Sequence, residues 1–327
     1  MLFRKQLGVL LLGAWLGIGF VSAQTTTNSG TSSSSAEPDW MKMDVVEKKP
    51  VSEVSHEFNF TEAYVGGSDI HRGDTSFGNL SENSLNLTYV ANIPVQDNWQ
   101  LRVGLMYDRY DFGSLNQSVI PNTLGAAALI LGADINLSEK WILRVEVRPG
   151  IYSDFKNVTI DQCNVPLIVG ATYLVNADLQ WFFGLQFDPH FGTGIYHWDD
   201  APVMPGLGAR WHFADQWTLM AVLPDPELQY DMQDNLQVFV GARLRGGNYR
   251  MDNDFGKSYG RSDLGNANLS YREIRLALGA RYTFMPGLTL ELEGGSAVSR
   301  QFYYSGPDIQ LHTDPAGYAQ VRLNARF

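Results

Sequence analysis

From about residue 54 onward, apolar and polar residues alternate with a period of two. In residues 99–108 the odd positions are Trp, Leu, Val, Leu and Tyr, and the even positions are Gln, Arg, Gly, Met and Asp. The same alternation recurs in residues 141–149, 236–245 and 273–282. Successive side chains of a strand point to opposite faces, so these segments predict strands with one apolar and one polar face. The predicted strands are 55–65, 84–93, 98–110, 122–137, 141–152, 165–176, 179–190, 203–213, 217–223, 226–232, 236–249, 270–284, 288–304 and 316–327.

The connections between these strands alternate between short turns and long loops. The short turns are 95–98, 138–140, 176–178, 214–216, 233–235 and 285–287. The long loops are 66–83, 111–121, 153–164, 191–202, 246–269 and 305–315. This plan is typical of an outer-membrane barrel and not of a soluble sandwich. We therefore expect an all-β fold: a single antiparallel transmembrane β-barrel of about 14 strands, with short periplasmic turns and long extracellular loops. The count falls to 12 if residues 217–232, which contain two prolines, form a loop.

Aromatic residues mark the rim that carries the short turns. Trp99, Trp141, Trp181 and Trp217 each open the strand that follows a short turn. Indole rings prefer the lipid–water interface, so we interpret these four residues as interface aromatics. The chain ends in an alternating strand on Phe327. A terminal aromatic residue of this kind resembles the signal that the barrel-assembly machinery reads, which makes that machinery an expected partner.

The N-terminus has the layout of a secretory signal. Arg4 and Lys5 precede an apolar run at 7–21, and small residues follow at 22–23. The run is shorter than the roughly 20 residues that a spanning helix needs, so a cleaved signal peptide at 1–23 is favoured over a membrane anchor. Residues 24–53 are rich in Ser and Thr and predict a disordered periplasmic tail, which leaves 54–327 for the barrel. The expected location is the outer membrane of a Gram-negative-type bacterium.

Charge narrows the list of partners. The net charge is −11, and it becomes −13 once Arg4 and Lys5 are removed with the signal peptide. An acidic protein of this kind is not expected to bind nucleic acid. The expected partners are outer-membrane lipids and lipopolysaccharide, next to acidic outer loops. The single cysteine, Cys163, cannot form an internal disulfide. The sequence leaves the oligomeric state open.

Several short segments carry a family resemblance. They are Phe58-Asn59-Phe60, Asp97-Asn98-Trp99, Pro224-Asp225-Pro226 and the terminal Phe327. Residues 54–327 as a whole resemble an uncharacterised family of bacterial outer-membrane β-barrels known only as a domain of unknown function. The resemblance implies a fold and a location, and no activity. A barrel of 14 strands also resembles the long-chain fatty-acid transporters. Those proteins carry an N-terminal plug, and the Ser- and Thr-rich tail of this chain offers no counterpart to it.

The polar face of the predicted strands collects charged residues that would line the lumen. The lumen-lining candidates are Arg102, Arg144, Glu146, Arg148, Arg210, Arg243, Arg245, Glu273, Arg275, Arg281, Glu291, Glu293 and Arg322. Arginines outnumber acids on this face, and rings of Arg favour anions in a pore. The alternative is a network of ion pairs that fills the barrel. No Ser-His-acid pattern is apparent, and His197 with Asp199 and Asp200 is interpreted as an acidic surface loop. We therefore expect no catalytic residues, no enzyme activity, no metal and no cofactor.

Three functions remain on these grounds. The first is a passive channel or transporter for small polar or anionic solutes. The second is a non-conducting structural or surface-interaction barrel that acts through its outer loops. The third and most distant is a transporter of hydrophobic substrates of the fatty-acid type. The first two differ in whether the loop at 246–269 folds into the lumen or stands outside.

Overall fold

The computed structural model describes residues 53–113, 119–189, 203–222 and 225–327. The predicted signal peptide, nearly all of the tail and the loop that contains His197 lie outside the described residues. No helix within the described ranges has the length and hydropathy needed to cross a membrane.

The described residues form 17 strand segments and three short 3-10 helices. The strands are β1 (Ser55–Arg72), β2 (Thr75–Gln96), β3 (Trp99–Phe112), β4 (Thr123–Asn136), β5 (Trp141–Val147), β6 (Gly150–Ser153), β7 (Cys163–Asn164), β8 (Leu167–Leu174), β9 (Leu179–Phe187), β10 (Val203–Ala214), β11 (Trp217–Val222), β12 (Glu227–Gln233), β13 (Leu236–Arg250), β14 (Asn268–Met285), β15 (Leu288–Tyr304), β16 (Ile309–Thr313) and β17 (Ala316–Arg326). The helices are Ile160–Gln162, Lys257–Tyr259 and Ser262–Leu264.

These segments make a closed barrel of 14 strands across the described residues. Pro149, Pro166 and Pro315 divide three of the strands into β5 and β6, β7 and β8, and β16 and β17. Proline has no N–H to donate to the ladder, which accounts for each interruption. Every strand pairs antiparallel with its neighbours, and β17 closes the barrel on β1, from Glu57 opposite Arg326 to Val65 opposite Tyr318.

The count of 14 strands settles the ambiguity in residues 217–232. Here β11 and β12 pair antiparallel from Trp217 opposite Tyr230 to Met220 opposite Glu227. This segment is therefore two strands, and the alternative of 12 strands is wrong. Both ends of the barrel wall, at Ser55 and Arg326, lie at the rim with the short turns. We call this rim the turn end and the opposite rim the loop end.

The outer face of the barrel is apolar, as the alternation predicted. Large aliphatic side chains point away from the interior along every long strand, for example Leu105 and Leu278, which are 58% and 66% exposed. Trp99, Trp141 and Trp217 are the first residues of their strands, and Trp181 is the third of β9. The ring of Trp141 lies 4.8 Å from that of Tyr173, and Trp217 lies 4.8 Å from Tyr230. These aromatic residues lie near the turn end, where an aromatic belt is expected in a transmembrane barrel.

Two predicted loops are strands instead. Residues 66–83 continue β1 and β2 to a tight turn at 73–74, where Gly73 takes a φ of 57°. Residues 305–315 contain β16, which pairs with both β15 and β1. The expectation of long loops was therefore wrong at these two places. Residues 66–83 can be polar because the end of β1 and the start of β2, which they form, do not need an apolar outer face.

Irregular pairing also reverses the inward-facing positions within one strand. The pairing of β14 with β15 slips between Ile274 and Arg275. Before the slip the odd residues of β15, such as Glu291, face inward, and after it the even residues do, such as Arg300. A bulge adds one residue to one strand and so exchanges the two faces beyond it. Period-two alternation alone therefore does not predict the inner wall near the loop end.

Candidate functional site

The inner wall of the loop-end half is apolar. Its buried cluster comprises Ile70, Leu80, Val90, Met106, Phe112, Ile120, Leu124, Ala126, Ala128, Ile130, Tyr152, Tyr249, Met251, Phe255, Leu264, Ala267, Leu269, Tyr271, Phe302, Tyr304, Ile309 and Leu311. At its centre the ring of Phe112 lies 5.2 Å from the rings of both Tyr271 and Phe302. This half of the barrel is therefore filled by side chains in the manner of a soluble core.

The segment at 251–267 packs against this apolar wall from inside the barrel. Its Met251 and Leu264 are fully buried, and Phe255 stacks on Tyr304 with 6.3 Å between ring centres. At its start, Arg250 of β13 pairs with Ser153 of β6. β13 and β6 are on opposite sides of the barrel, so the chain crosses the lumen at the loop end. We call residues 251–267 the plug segment.

One side chain joins the plug segment to a neighbouring loop. The amide of Asn157 donates to a carboxylate oxygen of Asp252 at 3.0 Å. Asp154 in the same loop is buried, and no described side chain donates a hydrogen bond to its carboxylate. Burial raises the pKa of Asp154 above its ordinary value, and the nearby charge of Asp252 adds to this effect.

The turn-end half of the inner wall is polar, and its charges form clusters. The first cluster comprises Glu57, Arg102, Asp134, Arg144, Glu146 and Arg148. Arg144 lies 2.6 Å from Asp134, and Arg148 lies 2.7 Å from Glu146. Arg102 lies between both carboxylates, 3.4 Å from Glu146 and 3.7 Å from Asp134. The three arginines are thus held by carboxylates of three different strands, β1, β4 and β5.

The second cluster comprises Glu227, Arg243, Arg281, Glu291, Glu293 and Arg322. Glu227 is its centre, because it accepts from Arg243 at 2.6 Å and from Arg281 at 2.8 Å. Both guanidinium groups also lie over the ring of Phe239, at 4.1 Å for Arg281 and 5.1 Å for Arg243. These side chains are almost completely buried.

The third cluster comprises Glu82, Tyr271, Glu273, Arg275 and Gln320 and lies where the apolar and polar halves meet. The hydroxyl of Tyr271 is within hydrogen-bond reach of both Glu82 and Glu273. Arg275 pairs with Glu273 and lies 3.4 Å from Glu82. Tyr271 therefore belongs both to this cluster and to the apolar core beneath the plug segment.

The structure supplies carboxylates that the sequence-based selection omitted. Glu57, Glu82, Asp134, Asp225 and Glu227 all pair with the predicted arginines, including Arg245, which lies 2.9 Å from Asp225. Glu57, Asp134 and Glu227 fell within predicted strands, so inspection of every inward position could have found them. Glu82 and Asp225 fell in predicted connections and carried no such signal. The inner wall is thus close to charge-balanced, and not strongly positive.

Comparisons with known proteins support the family. A family model described as a domain of unknown function (DUF6268) matches residues 60–314, which is most of the chain. The chain belongs to this family. No curated protein matches it.

Solved structures that are similar to this DUF6268 chain are distant from it in sequence. An outer membrane channel from Pseudomonas putida F1 is 12% identical, with a TM-score of 0.44, over 84% of this chain and 96% of that one. The toluene transporter TodX of P. putida is 12% identical, with a TM-score of 0.41, over 84% and 90%. The NanC porin is 12% identical, with a TM-score of 0.35, over 82% and 98%. At these values the similarity carries no inference about function.

Inward-facing glycines of this DUF6268 chain do not open the lumen. A Cβ at Gly279 would overlap the ring of Phe239 and lie 2.7 Å from the carbonyl oxygen of Leu292. A Cβ at Gly241 would lie 2.5 Å from the carbonyl oxygen of Pro226 and 3.0 Å from Arg243. These glycines are needed because neighbouring backbone and side chains approach closely, not because they widen a passage.

The polar half does contain a cleft beside the first cluster. It has an empty volume of about 240 Å³, counting its opening to solvent. Its lining includes Glu57, Arg102, Glu146 and Arg148, so both signs of charge face it. Among the described residues, no group of three or more His, Cys, Asp or Glu side chains is arranged to hold a metal ion.

Proposed function

We propose that this protein is an outer-membrane channel or transporter for small polar or anionic solutes, whose lumen is closed by the plug segment. The observation that carries the proposal is the division of the interior. The loop-end half is blocked by a segment that is a connection between strands, and the turn-end half has a charged wall. Removal of the plug segment from the mouth would open a route lined by polar groups.

The charged wall argues for a second, hydrated state of the lumen. Burying an ion pair is often no more stabilising than a well-packed apolar pair of the same volume. A barrel whose interior stayed dry would gain nothing over an apolar core from so many arginines. A wall that is exposed to water when the plug segment moves would need these charges, and pairing them keeps the closed state stable.

Planar-bilayer conductance of the refolded full chain tests this function. We expect few or no conducting steps from the wild type, and frequent steps from the double variant Phe255→Ala, Leu264→Ala. Both side chains are buried where the plug segment meets the wall. The matched control is Lys257→Ala in the same segment, since Lys257 is exposed and pairs with Asp254. A folded double variant that stays as silent as the control would refute the proposal.

A non-conducting barrel is the second candidate, and the burial of the second cluster favours it. Arg243, Arg281 and Glu227 are each at most 3% exposed. Such a barrel would act through its loop end, and conductance would stay absent whatever happens to the plug segment. A transporter of hydrophobic substrates of the fatty-acid type is not favoured over these two, because the turn-end wall is charged.

The proposed location follows from the outer face. The exposed aliphatic side chains and the four tryptophans suit lipid contact, with the turn end in the periplasm and the loop end outside. Outer-membrane lipids, lipopolysaccharide and the barrel-assembly machinery, which would read Phe327, are the proposed partners. Separation of inner and outer membranes from cells that express the full chain tests the location. Recovery with the inner membrane or in the soluble fraction would contradict it.

A further inference from the structure

Arg210 differs from the other predicted lumen-lining arginines. Each of the others has a carboxylate within ion-pair distance. Arg210, on the inner face of β10 toward the turn end, has none among the described residues, and its Nε is buried without a hydrogen-bond partner. The residue as a whole remains partly exposed. The described residues therefore place no counter-charge within ion-pair distance of this guanidinium group.

Gln180 lies directly beside Arg210 and is also unsatisfied. The two residues are opposite each other in the pairing of β9 with β10. Gln180 is only 1% exposed, yet neither its amide nitrogen nor its amide oxygen has a partner in the part of the chain that the structure describes. Buried polar groups are nearly always paired, so such exceptions point to an absent water or ligand.

The described neighbours of this pair supply no acid within ion-pair distance of Arg210. On the other side of Arg210 the ladder continues to Met220 and only then to Glu227. Glu227 already accepts from Arg243 and Arg281. On the same face, His212 and Thr218 bond each other at 3.0 Å. Arg210 and Gln180 are thus cross-strand neighbours, and the described residues supply no anion within ion-pair distance of Arg210.

Arg300 shows that an arginine without a carboxylate need not be a site. It is fully buried and donates to Thr313 at 3.1 Å, Ser68 at 2.6 Å and the carbonyl oxygen of Leu80 at 3.0 Å. These neutral acceptors satisfy its Nε and Nη2, while its Nη1 has no partner among the described residues. Arg210 has no such acceptors among the described residues and is partly accessible, which separates the two cases.

We propose that Arg210 and Gln180 form a binding site for the carboxylate or phosphate group of an anionic solute at the turn end of the lumen. The planar guanidinium group supplies charge and paired N–H donors, and the amide of Gln180 supplies a neutral donor beside it. The solute class named here rests on the proposed function, but anion binding at Arg210 and Gln180 does not require conduction.

Titration with inorganic phosphate tests the site directly. Calorimetry on the refolded full chain in detergent should show phosphate binding that is about tenfold weaker or absent in Arg210→Gln. Gln180→Leu should weaken it in the same direction with the charge unchanged. The matched control is Arg109→Gln, because Arg109 is exposed and pairs with Asp111 at 2.7 Å at the other end of the barrel. The control should bind phosphate like the wild type.

The results separate this site from the channel proposal. If the wild type binds no phosphate, or if Arg210→Gln and Gln180→Leu bind it as tightly as the control, the site is refuted. If the variants keep their resistance to heat in gel electrophoresis, they are folded, and any loss of phosphate binding is not caused by misfolding. A barrel that never conducts but binds phosphate through Arg210 would overturn the proposed function and leave the site intact.

Discussion

Replacement of Glu227 by glutamine removes the carboxylate that two buried arginines share. Glu227 is 2% exposed. Its carboxylate accepts a hydrogen bond from Arg243 at 2.6 Å and two from the Nη1 and Nη2 atoms of Arg281, each at 2.8 Å. Glutamine keeps the size of the side chain and one acceptor oxygen, but it loses the negative charge. Arg243 would then keep only Glu293, and Arg281 would keep only Glu291.

The expected cost is about 3 kcal/mol of the free energy of unfolding. Removing one partner of a buried ion pair costs about 3–5 kcal/mol, and the retained acceptor of glutamine places this change at the lower end. A loss of about 3 kcal/mol corresponds to roughly a hundredfold change in the unfolding equilibrium. This is a large share of the roughly 5–15 kcal/mol by which folded proteins are stable.

Urea unfolding of the refolded barrel in lipid vesicles, followed by tryptophan fluorescence, measures this cost. The matched control is Asp97→Asn, an equivalent change at an exposed residue of a short turn. The control should change the free energy of unfolding by less than about 0.5 kcal/mol. A second variant adds Arg281→Met to Glu227→Gln, which removes one cation and restores the balance of charge.

Two outcomes would refute the reasoning. A change for Glu227→Gln no larger than that of Asp97→Asn would mean that the ion pairs are hydrated and not buried. A double variant less stable than the sum of the two single changes would mean that charge balance is not what the cluster provides. We expect instead that the double variant recovers part of the loss.

Two further predictions follow from the same wall and the plug segment. Gly279→Val should destabilise the barrel by about 1–3 kcal/mol in the urea assay, because its side chain would overlap Phe239, whereas a valine at exposed Gly306 should not. The raised pKa of Asp154 means that the folded state holds the proton of this carboxyl more tightly than the unfolded state does. Its contribution to the free energy of unfolding is therefore full at acid pH and is lost as pH rises through the raised pKa. Hydrogen exchange of residues 251–267 should therefore quicken with rising pH beyond the intrinsic rate, and Asp154→Asn should abolish that excess.

The architecture of the barrel could be predicted from local pattern. Alternation of apolar and polar residues is a property of single strands, and the short turns with Trp99, Trp141 and Trp217 after them define one rim. These features need no knowledge of which strand pairs with which. Arg102, Arg243 and Arg281 are buried, and each lies in a regular stretch of strand.

The state of the interior was decided by tertiary structure alone. Whether Arg243 is a free cation or half of an ion pair depends on Glu227 in another strand, and so on register and closure. The shift of phase before Arg300 and the path of residues 251–267 across the lumen depend on pairing irregularities and on packing against Phe302 and Tyr304. Within a regular stretch of strand, the sequence indicates which side of the strand a residue faces. It does not report which residues meet it across the lumen, because those contacts join strands that are far apart along the chain.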